Sequence, residues 1–347
     1  MRSRDQEDPE ATGVFGPMLR NENTLFHVEG SERDATAPGP REAFLVAYDR
    51  LADLARAARR PGFVIGVVDK DMRLMAAELG EAGCAITIGR HTKCRIRLPS
   101  ERVSLRHVVA LVLEDEPGVP MIRLWDLNTR EPFSTEDGNK NCAVVSDGPT
   151  YLAIGPFALW FLPCTANTKW PGRSTEAWDA MPPRSFIDRR APLPPSRRAG
   201  VNALPPPKKK GSPYRSFDEN SRITTLAPPL LLGDDEEPEL AWATIRLQSR
   251  TAKAKRSVSA ERLEQGLLIG RYERCGLSLG EIDKNVSRVH LLLVRIGSDV
   301  WAIDTGSTNG VRKAGKGVEA LILEDHDRLE FGSNMILDWA KLEHAEA

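Results

Sequence analysis

One set of landmarks occurs twice in this sequence, and that repetition constrains the fold more than any other feature. Gly89-Arg90 is followed by Ser104 and His107, then Asp126, then Ile154-Gly155. Gly270-Arg271 is followed by Ser287 and His290, then Asp304, then Phe331-Gly332. The offsets between the pairs are 181, 183, 178 and 177 residues, so the order is kept and only loop lengths change. Self-similarity of this kind marks a duplicated unit. A chain of 347 residues has room for two such units and for accessory segments.

Each unit reads as β. Apolar runs fall at 63–68, 84–88, 107–113, 121–125, 151–154 and 157–162 in the first. They fall at 242–247, 267–269, 289–296, 300–303, 318–323, 328–331 and 335–339 in the second. Turn pairs such as Pro117-Gly118, Asp137-Gly138 and Asp147-Gly148 punctuate them. Short strands separated by turns predict an all-β fold class: two antiparallel β-sandwiches, over 61–164 and 239–343.

The remaining segments read differently. Residues 1–40 are polar and charged and predict a disordered tail, with Thr12, Thr24 and Thr36 as candidate phosphorylation sites. In 41–60, Phe44, Leu45, Tyr48, Leu51, Leu54 and Ala55 recur at helical spacing. They predict a short amphipathic helix that either docks on the following unit or serves a partner. Arg56, Arg59 and Arg60 fall in its expected last turn, where the helix dipole favours cations. Residues 165–238 carry Pro205-Pro206-Pro207, Lys208-Lys209-Lys210 and the acidic run Asp234-Asp235-Glu236-Glu237. Such composition cannot bury a core and predicts a Pro-rich linker. Within it, the apolar-flanked Thr224-Thr225 reads as a spacer or as a docking or phospho-acceptor segment. Residues 344–347 form a short tail.

The net charge of −1 gives no overall bias toward nucleic acid or membrane. The linker's lysines are few and acidic residues follow them, which favours a solvated spacer over a nucleic-acid contact. No stretch approaches the ~18 consecutive apolar residues of a membrane span, and the N-terminus shows no secretory signal. Five cysteines without a C-x-x-C suggest reduced thiols. A cytoplasmic protein without cofactor or metal is expected.

Catalytic signatures are weak. Gly276-Leu277-Ser278-Leu279-Gly280 matches G-x-S-x-G by letter, but no helical pattern follows to build a strand-to-helix elbow. Asp325-His326-Asp327 sits between strand patterns and reads as a turn. The chain reads as an adaptor rather than an enzyme.

The stretch from Gly270 to Gly310 contains Gly270-Arg271, Ser287-Arg288-Val289-His290 and the run D-T-G-S-T-N-G from Asp304 to Gly310. Arg beside Gly, with hydroxyls in loops between strands, suits capture of a dianionic phosphate on a rigid β frame. In this spacing the stretch resembles the forkhead-associated (FHA) domain, a family that binds phosphothreonine peptides. The resemblance implies that Arg271 and Ser287 contact the phosphate and that Thr308 lies in the neighbouring loop. It implies that Asn309 holds the ligand backbone and Arg288 flanks it. His290 would frame the loops, with Gly270 and Gly310 permitting tight backbone geometry. The implied partner is a phosphothreonine protein, either a Ser/Thr kinase or its substrate.

The first copy keeps Arg90, Ser104 and His107 but has Leu105 where the second has Arg288. After Asp126 it reads Leu127-Asn128-Thr129-Arg130-Glu131-Pro132, which places Arg130 and Glu131 opposite Thr308 and Asn309. A carboxylate there repels phosphate. The expectation is a degenerate, structural or protein-binding copy, with at most a weak site at Arg90, Ser104 and His107. Two other readings stand beside the adaptor: an assembly protein using both folds as packing modules, and self-inhibition by a phosphorylated linker or tail.

Overall fold

In the computed structural model, the structure describes residues 36–182, 222–223, 241–250, 252–280 and 284–342. The tail threonines Thr12 and Thr24, the Lys208-Lys209-Lys210 triplet, Thr224-Thr225, the acidic run of the linker and the tail 344–347 lie outside the described residues. Four sheets form two sandwiches.

The first sandwich packs a sheet ordered Leu74–Glu81, Gly62–Val68, Phe157–Cys164, Thr150–Ile154, Ser134–Thr135 against a second sheet. That second sheet runs Arg222–Ile223, Ala143–Ser146, Val119–Asp126, Val108–Glu116, Ala85–Gly89, Ile96–Arg97. The linker thus contributes a two-residue strand, Arg222–Ile223, paired antiparallel with Val144 and Val145 at the sheet edge. Phe63, Ile65, Ile88, Val108, Val112, Leu124, Phe133 and Phe161 fill the space between the sheets.

The helix Pro40–Arg56 covers the outer face of the first sheet. Ala43, Phe44, Ala47, Tyr48 and Leu51 pack on Val64, Tyr151, Trp160 and Leu162. Gly66 sits under it, and a Cβ there would lie 3.0 Å from both Ala47 and Leu51. The glycine therefore sets how closely helix and sheet approach. Tyr151 Oη and Trp160 Nε1 donate to the carbonyls of Pro38 and Pro40, at 2.6 and 2.9 Å, tying down the helix start. The helix ends earlier than its charge pattern suggested. Arg59 and Arg60 lie beyond it, and their backbone N–H groups donate to Glu81 Oε1 at 2.9 and 3.2 Å.

Residues 165–182, expected to begin the linker, instead extend the first unit. The short helix Ser174–Asp179 brings Trp178 to within 5.5 Å of the Phe44 ring and 5.9 Å of Trp160. Tyr48 Oη donates to Pro171 O at 2.6 Å. Aromatic burial outweighs the Pro and polar composition that argued for open chain.

The second sandwich pairs a sheet ordered Lys253–Ser259, Ala241–Gln248, Met335–Lys341, Arg328–Phe331, Val311–Lys313, Lys316–Val318 with a second sheet. This one runs Leu277–Ser278, Leu267–Gly270, Leu291–Ile296, Asp299–Asp304, Ala320–Leu323. The core holds Ile245, Leu267, Ile269, Leu291, Leu293, Leu329, Phe331 and Trp339. A one-and-a-half-turn helix, Ala260–Gln265, links its sheets, capped by Ser259, whose side chain accepts the Arg262 N–H.

The two sandwiches share a buried apolar seam. Side chains alternate along a strand, so Val108, Ala110 and Val112 face the first core while Val109, Leu111 and Leu113 face outward. Those outward residues, with Trp125 and Leu127, meet Leu268, Leu292, Val294 and Ile303 of the second sandwich. The contact is close to isologous. Asn128 Nδ2 donates to Arg274 O at 2.8 Å. Their counterparts in the repeat, Gly306 and Lys93, also meet: a Cβ on Gly306 would lie 3.6 Å from Lys93 O. Equivalent surfaces of the two copies face each other, as in a two-fold dimer folded into one chain.

Candidate functional site

Both copies build the same platform. Gly89 and Gly270 end a strand and accept the N–H of Leu98 and Leu279, at 2.9 and 2.7 Å. The next N–H, of Arg90 or Arg271, donates to the carbonyl of Ser104 or Ser287, at 2.9 and 3.1 Å. A Cβ on either glycine would run into the carbonyl of Leu105 or Arg288. Close approach, rather than an unusual φ, is why glycine stands before the arginine. Cys94 and Cys275 are a further equivalent pair, each Sγ donating to that same carbonyl at 3.3 and 3.2 Å. Burial pushes their thiols up to about 11 and about 12. They are buried packing groups, and the sequence repeat contains them at the 181-residue offset of the Gly-Arg pair.

The histidines frame the loops. His290 is fully buried. Its Nδ1 accepts the Ser287 N–H at 3.0 Å, so the ring proton sits on Nε2, which lies 3.2 Å from Gly310 O. One ring thereby ties the S-R-V-H turn to the end of the S-T-N-G loop and packs on Phe331, with ring centroids 5.0 Å apart and planes tilted by 58°. In the first copy His107 Nδ1 accepts the Ser104 N–H at 3.2 Å. Burial drives the His107 imidazole down to about 4, so it is neutral near pH 7. Its 3.5 Å approach to Asp126 is a contact of a neutral ring and not an ion pair.

The loop from Asp304 to Gly310 is stapled from within. Asp304 Oδ1 accepts the Ser307 N–H at 2.7 Å, and Ser307 Oγ accepts the Gly310 N–H at 3.0 Å. Gly310 takes φ +73°, which glycine adopts without strain. Thr308 N–H donates to Ser287 Oγ at 2.9 Å, and that hydroxyl donates in turn to Thr308 Oγ1 at 3.4 Å, so the two side-chain hydroxyls are held side by side. Asn309 Nδ2 donates to Asn285 O at 3.1 Å.

Ser287, His290, Thr308, Asn309 and Gly310 therefore gather on one face. The backbone of Arg271 joins them through Ser287 O, and its side chain is exposed. Among the described residues no carboxylate pairs with Arg271. Arg288 is also exposed but lines a cleft with residues of the first sandwich.

Two first-copy cations brace the second copy's loop. Arg106 Nε donates to Gly306 O at 2.8 Å, and Lys93 Nζ donates to Thr308 O. Sequence reasoning missed both, because they lie about 200 residues away in the chain.

In the first copy Arg90 Nε donates to Val103 O at 3.3 Å, which turns part of its guanidinium inward. Thr129 hydrogen-bonds Asp126 through both N–H and Oγ1, at 2.7 Å each, filling the place of Ser307. Arg130 and Glu131 are exposed at the loop tip.

The motif-like segments outside this face are structural. Leu277–Ser278, inside the G-x-S-x-G letters, pairs in parallel with Ile269 and Gly270. Asp327 Oδ2 takes the Lys313 ammonium at 2.7 Å and the Glu324 N–H at 2.9 Å, within a turn. Among the described residues no helix is long and apolar enough to cross a membrane.

Loops gathered on the ends of two sandwiches, with hydroxyls, an asparagine and an exposed arginine held on a histidine frame, define a β-sandwich recognition module. The second sandwich is an FHA domain: residues 267–332 match that family. The first sandwich has an FHA-like fold. Among solved structures, the chain is similar to the FhaA FHA domain complexed with the intracellular domain of Rv3910. That similarity has 25% identity, covers 28% of this chain and 98% of that one, and has a TM-score of 0.24. It is also similar to Mycobacterium tuberculosis EmbR in complex with a low affinity phosphopeptide, at 22% identity, 28% and 24% coverage and a TM-score of 0.24. The Slr1951 protein from Synechocystis sp. is similar at 22% identity, 29% and 99% coverage and a TM-score of 0.26. No curated protein matches the chain.

Proposed function

We propose that the second sandwich binds a phosphothreonine segment of a partner protein, as an adaptor in Ser/Thr-kinase signalling. The observation that carries this reading is the Ser287–Thr308 hydrogen bond beside Arg271. It holds two hydroxyls on the turn whose Ser287 carbonyl accepts the Arg271 N–H, and the Arg271 side chain is exposed with no carboxylate partner among the described residues. A phosphothreonine brings roughly −1.5 to −2 charge and three acceptor oxygens. Arg271 supplies the fork of donors, Ser287 and Thr308 supply hydroxyls, and Asn309 reads the ligand backbone. The kinase or kinase substrate that carries the phosphothreonine is the partner class this site suits.

The first sandwich acts as a structural partner of the second, a reading favoured by the apolar seam and by the two cations it places on the 304–310 loop. The test is binding of the chain to an oriented phosphothreonine peptide library and to its unphosphorylated counterpart, with wild type and Ser287→Ala. The proposal expects capture only of phosphorylated peptides, weakened by Ser287→Ala. Equal capture of both libraries would move the function to phosphate-blind assembly.

A further inference from the structure

The two copies match strand for strand along the sheets that face the seam. Asp126 N–H donates to Cys142 O at 2.7 Å, and Asp304 N–H donates to Glu319 O at 2.8 Å. The strands that follow, Ala143–Ser146 and Ala320–Leu323, are 177 residues apart and keep the same register. Val144 and Val145 stand opposite Leu124 and Arg123, as Leu321 and Ile322 stand opposite Ala302 and Trp301.

Their outer edges differ. In the first copy the edge is covered, because Arg222–Ile223 pairs antiparallel with Val145 and Val144. In the second copy Ala320–Leu323 ends its sheet, and among the described residues no strand pairs with its outer edge. An uncovered edge presents unpaired N–H and C=O groups to another chain. Bonded and unbonded positions alternate along an antiparallel ladder. Since Asp304 N–H bonds Glu319 O, the outward groups of this edge belong to Ala320 and Ile322. Val145 holds the position equivalent to Ile322, and Arg222 stands opposite it.

Leu321 and Leu323 pack on the core of the second sandwich, so Ile322 lies on the seam face with Trp301 and Ala320. Trp301 and Ala320 pack against the seam cluster, whereas Ile322 is 42% exposed. The apolar surface of the seam therefore runs on to the open edge. Glu319 and Glu324, both exposed, flank the strand. The Lys313 ammonium stays 4.0 Å from Glu324 and pairs with Asp327 at 2.7 Å. A second copy of this strand, paired antiparallel about Leu321 and Ile322, would set Glu319 of one chain against Glu324 of the other. Like charges opposite one another are destabilising, whereas cations at those places would be attracted.

We infer that the edge Ala320–Leu323 is a docking site for an extended segment of a partner protein, which adds as an antiparallel strand and carries apolar residues between cationic ends. The first copy supplies the precedent, since the linker adds a strand at the equivalent edge. Main-chain bonds to Ala320 and Ile322 give affinity, and the contact with Ile322 and the two glutamates gives selectivity. The site needs no phosphate and does not rest on the reading under Proposed function.

The test uses the full chain and two libraries of eight-residue peptides that alternate Ile or Val with Thr, one ending in Lys or Arg on both sides and one ending in Glu. Binding is titrated by fluorescence anisotropy, and hydrogen exchange is read at the Ala320 and Ile322 amides. The proteins are wild type, Ile322→Pro and Glu319→Gln/Glu324→Gln. Proline is tolerated on an edge strand where the N–H faces outward, and the double Gln variant decides the matter should Ile322→Pro melt early. The inference expects cation-ended peptides to bind wild type more tightly than Glu-ended ones and to slow exchange at both amides. Ile322→Pro should weaken that binding by about tenfold, the factor implied by a lost main-chain bond and apolar contact. The double Gln variant should erase the difference between the libraries. No binding by wild type, equal affinity for the two libraries, or binding that leaves exchange at Ala320 and Ile322 unchanged overturns the inference. A wild-type dimer that Ile322→Pro dissociates also overturns it, since the edge then belongs to a second copy.

Discussion

Arg106 of the first sandwich donates from Nε to the carbonyl oxygen of Gly306, 2.8 Å away in the 304–310 loop of the second. The loop carrying Thr308 and Asn309 is therefore held in part by a residue that belongs to the other copy. A charge-assisted bond of this kind contributes about 1.5–3 kcal/mol. Arg106→Met is expected to weaken phosphopeptide binding by roughly tenfold, the factor that energy implies. It should also lower hydrogen-exchange protection at the Ser307, Thr308 and Gly310 amides, which a general loss of stability would not single out. Unchanged exchange at these amides would show that the loop holds its own shape.

The apolar seam predicts how the second sandwich behaves alone. A fragment of residues 241–342 would expose Leu268, Leu292, Val294 and Ile303, which the seam buries. An exposed apolar patch of that kind promotes association. Sedimentation should show the fragment self-associating, and Leu292→Ser with Val294→Ser should return it to a monomer. A monodisperse wild-type fragment would contradict the seam as a necessary contact.

The neutral, buried His107 links stability to pH. Burial holds its imidazole down to about 4 in the folded chain, against an ordinary histidine value of 6.5. The unfolded chain binds the proton first on acidification. Its contribution is therefore complete above about pH 6.5 and is lost as pH falls toward 4, at up to ~1.4 kcal/mol per pH unit. Urea unfolding between pH 7 and pH 4.5 should show a steeper loss of stability for wild type than for His107→Gln. Parallel curves would place the titration elsewhere.

Gly270 tests the close-approach account of the Gly-Arg pair. A Cβ there would meet the Arg288 carbonyl, and backbone cannot yield as a side-chain tip can. Gly270→Ala is expected to cost about 1–3 kcal/mol in denaturant unfolding, in the range of overpacked cores. A neutral effect would mean the strand end can shift.

Much of this architecture was legible in the sequence, because short β runs and turn pairs carry local signals. The landmarks around Gly89 and Gly270 showed the duplication, and the Gly270–Gly310 motifs named the residues that gather at the second face. The strands Leu74–Glu81 and Lys253–Ser259 escaped, since Glu78, Lys253, Lys255 and Arg256 dilute their apolar pattern at sheet edges. The association of the two copies also escaped. Its signal was present in the unbroken runs Val108 to Leu113 and Leu291 to Val294, which mark strands buried on both faces. Arg106 and Lys93 carried no signal, since their partners Gly306 and Thr308 become neighbours only after both sandwiches form. Helix Ser174–Asp179 was hidden by the prolines on either side, and only tertiary packing of Trp170 and Trp178 holds it.

The measurement that bears most directly on the central claim is the affinity of the full chain for a phosphothreonine peptide, in wild type and Arg271→Ala. Loss of one charge-assisted contact implies a drop of roughly tenfold or more, and the account predicts that drop in a variant whose melting curve matches wild type. An unchanged affinity in such a folded variant would contradict it.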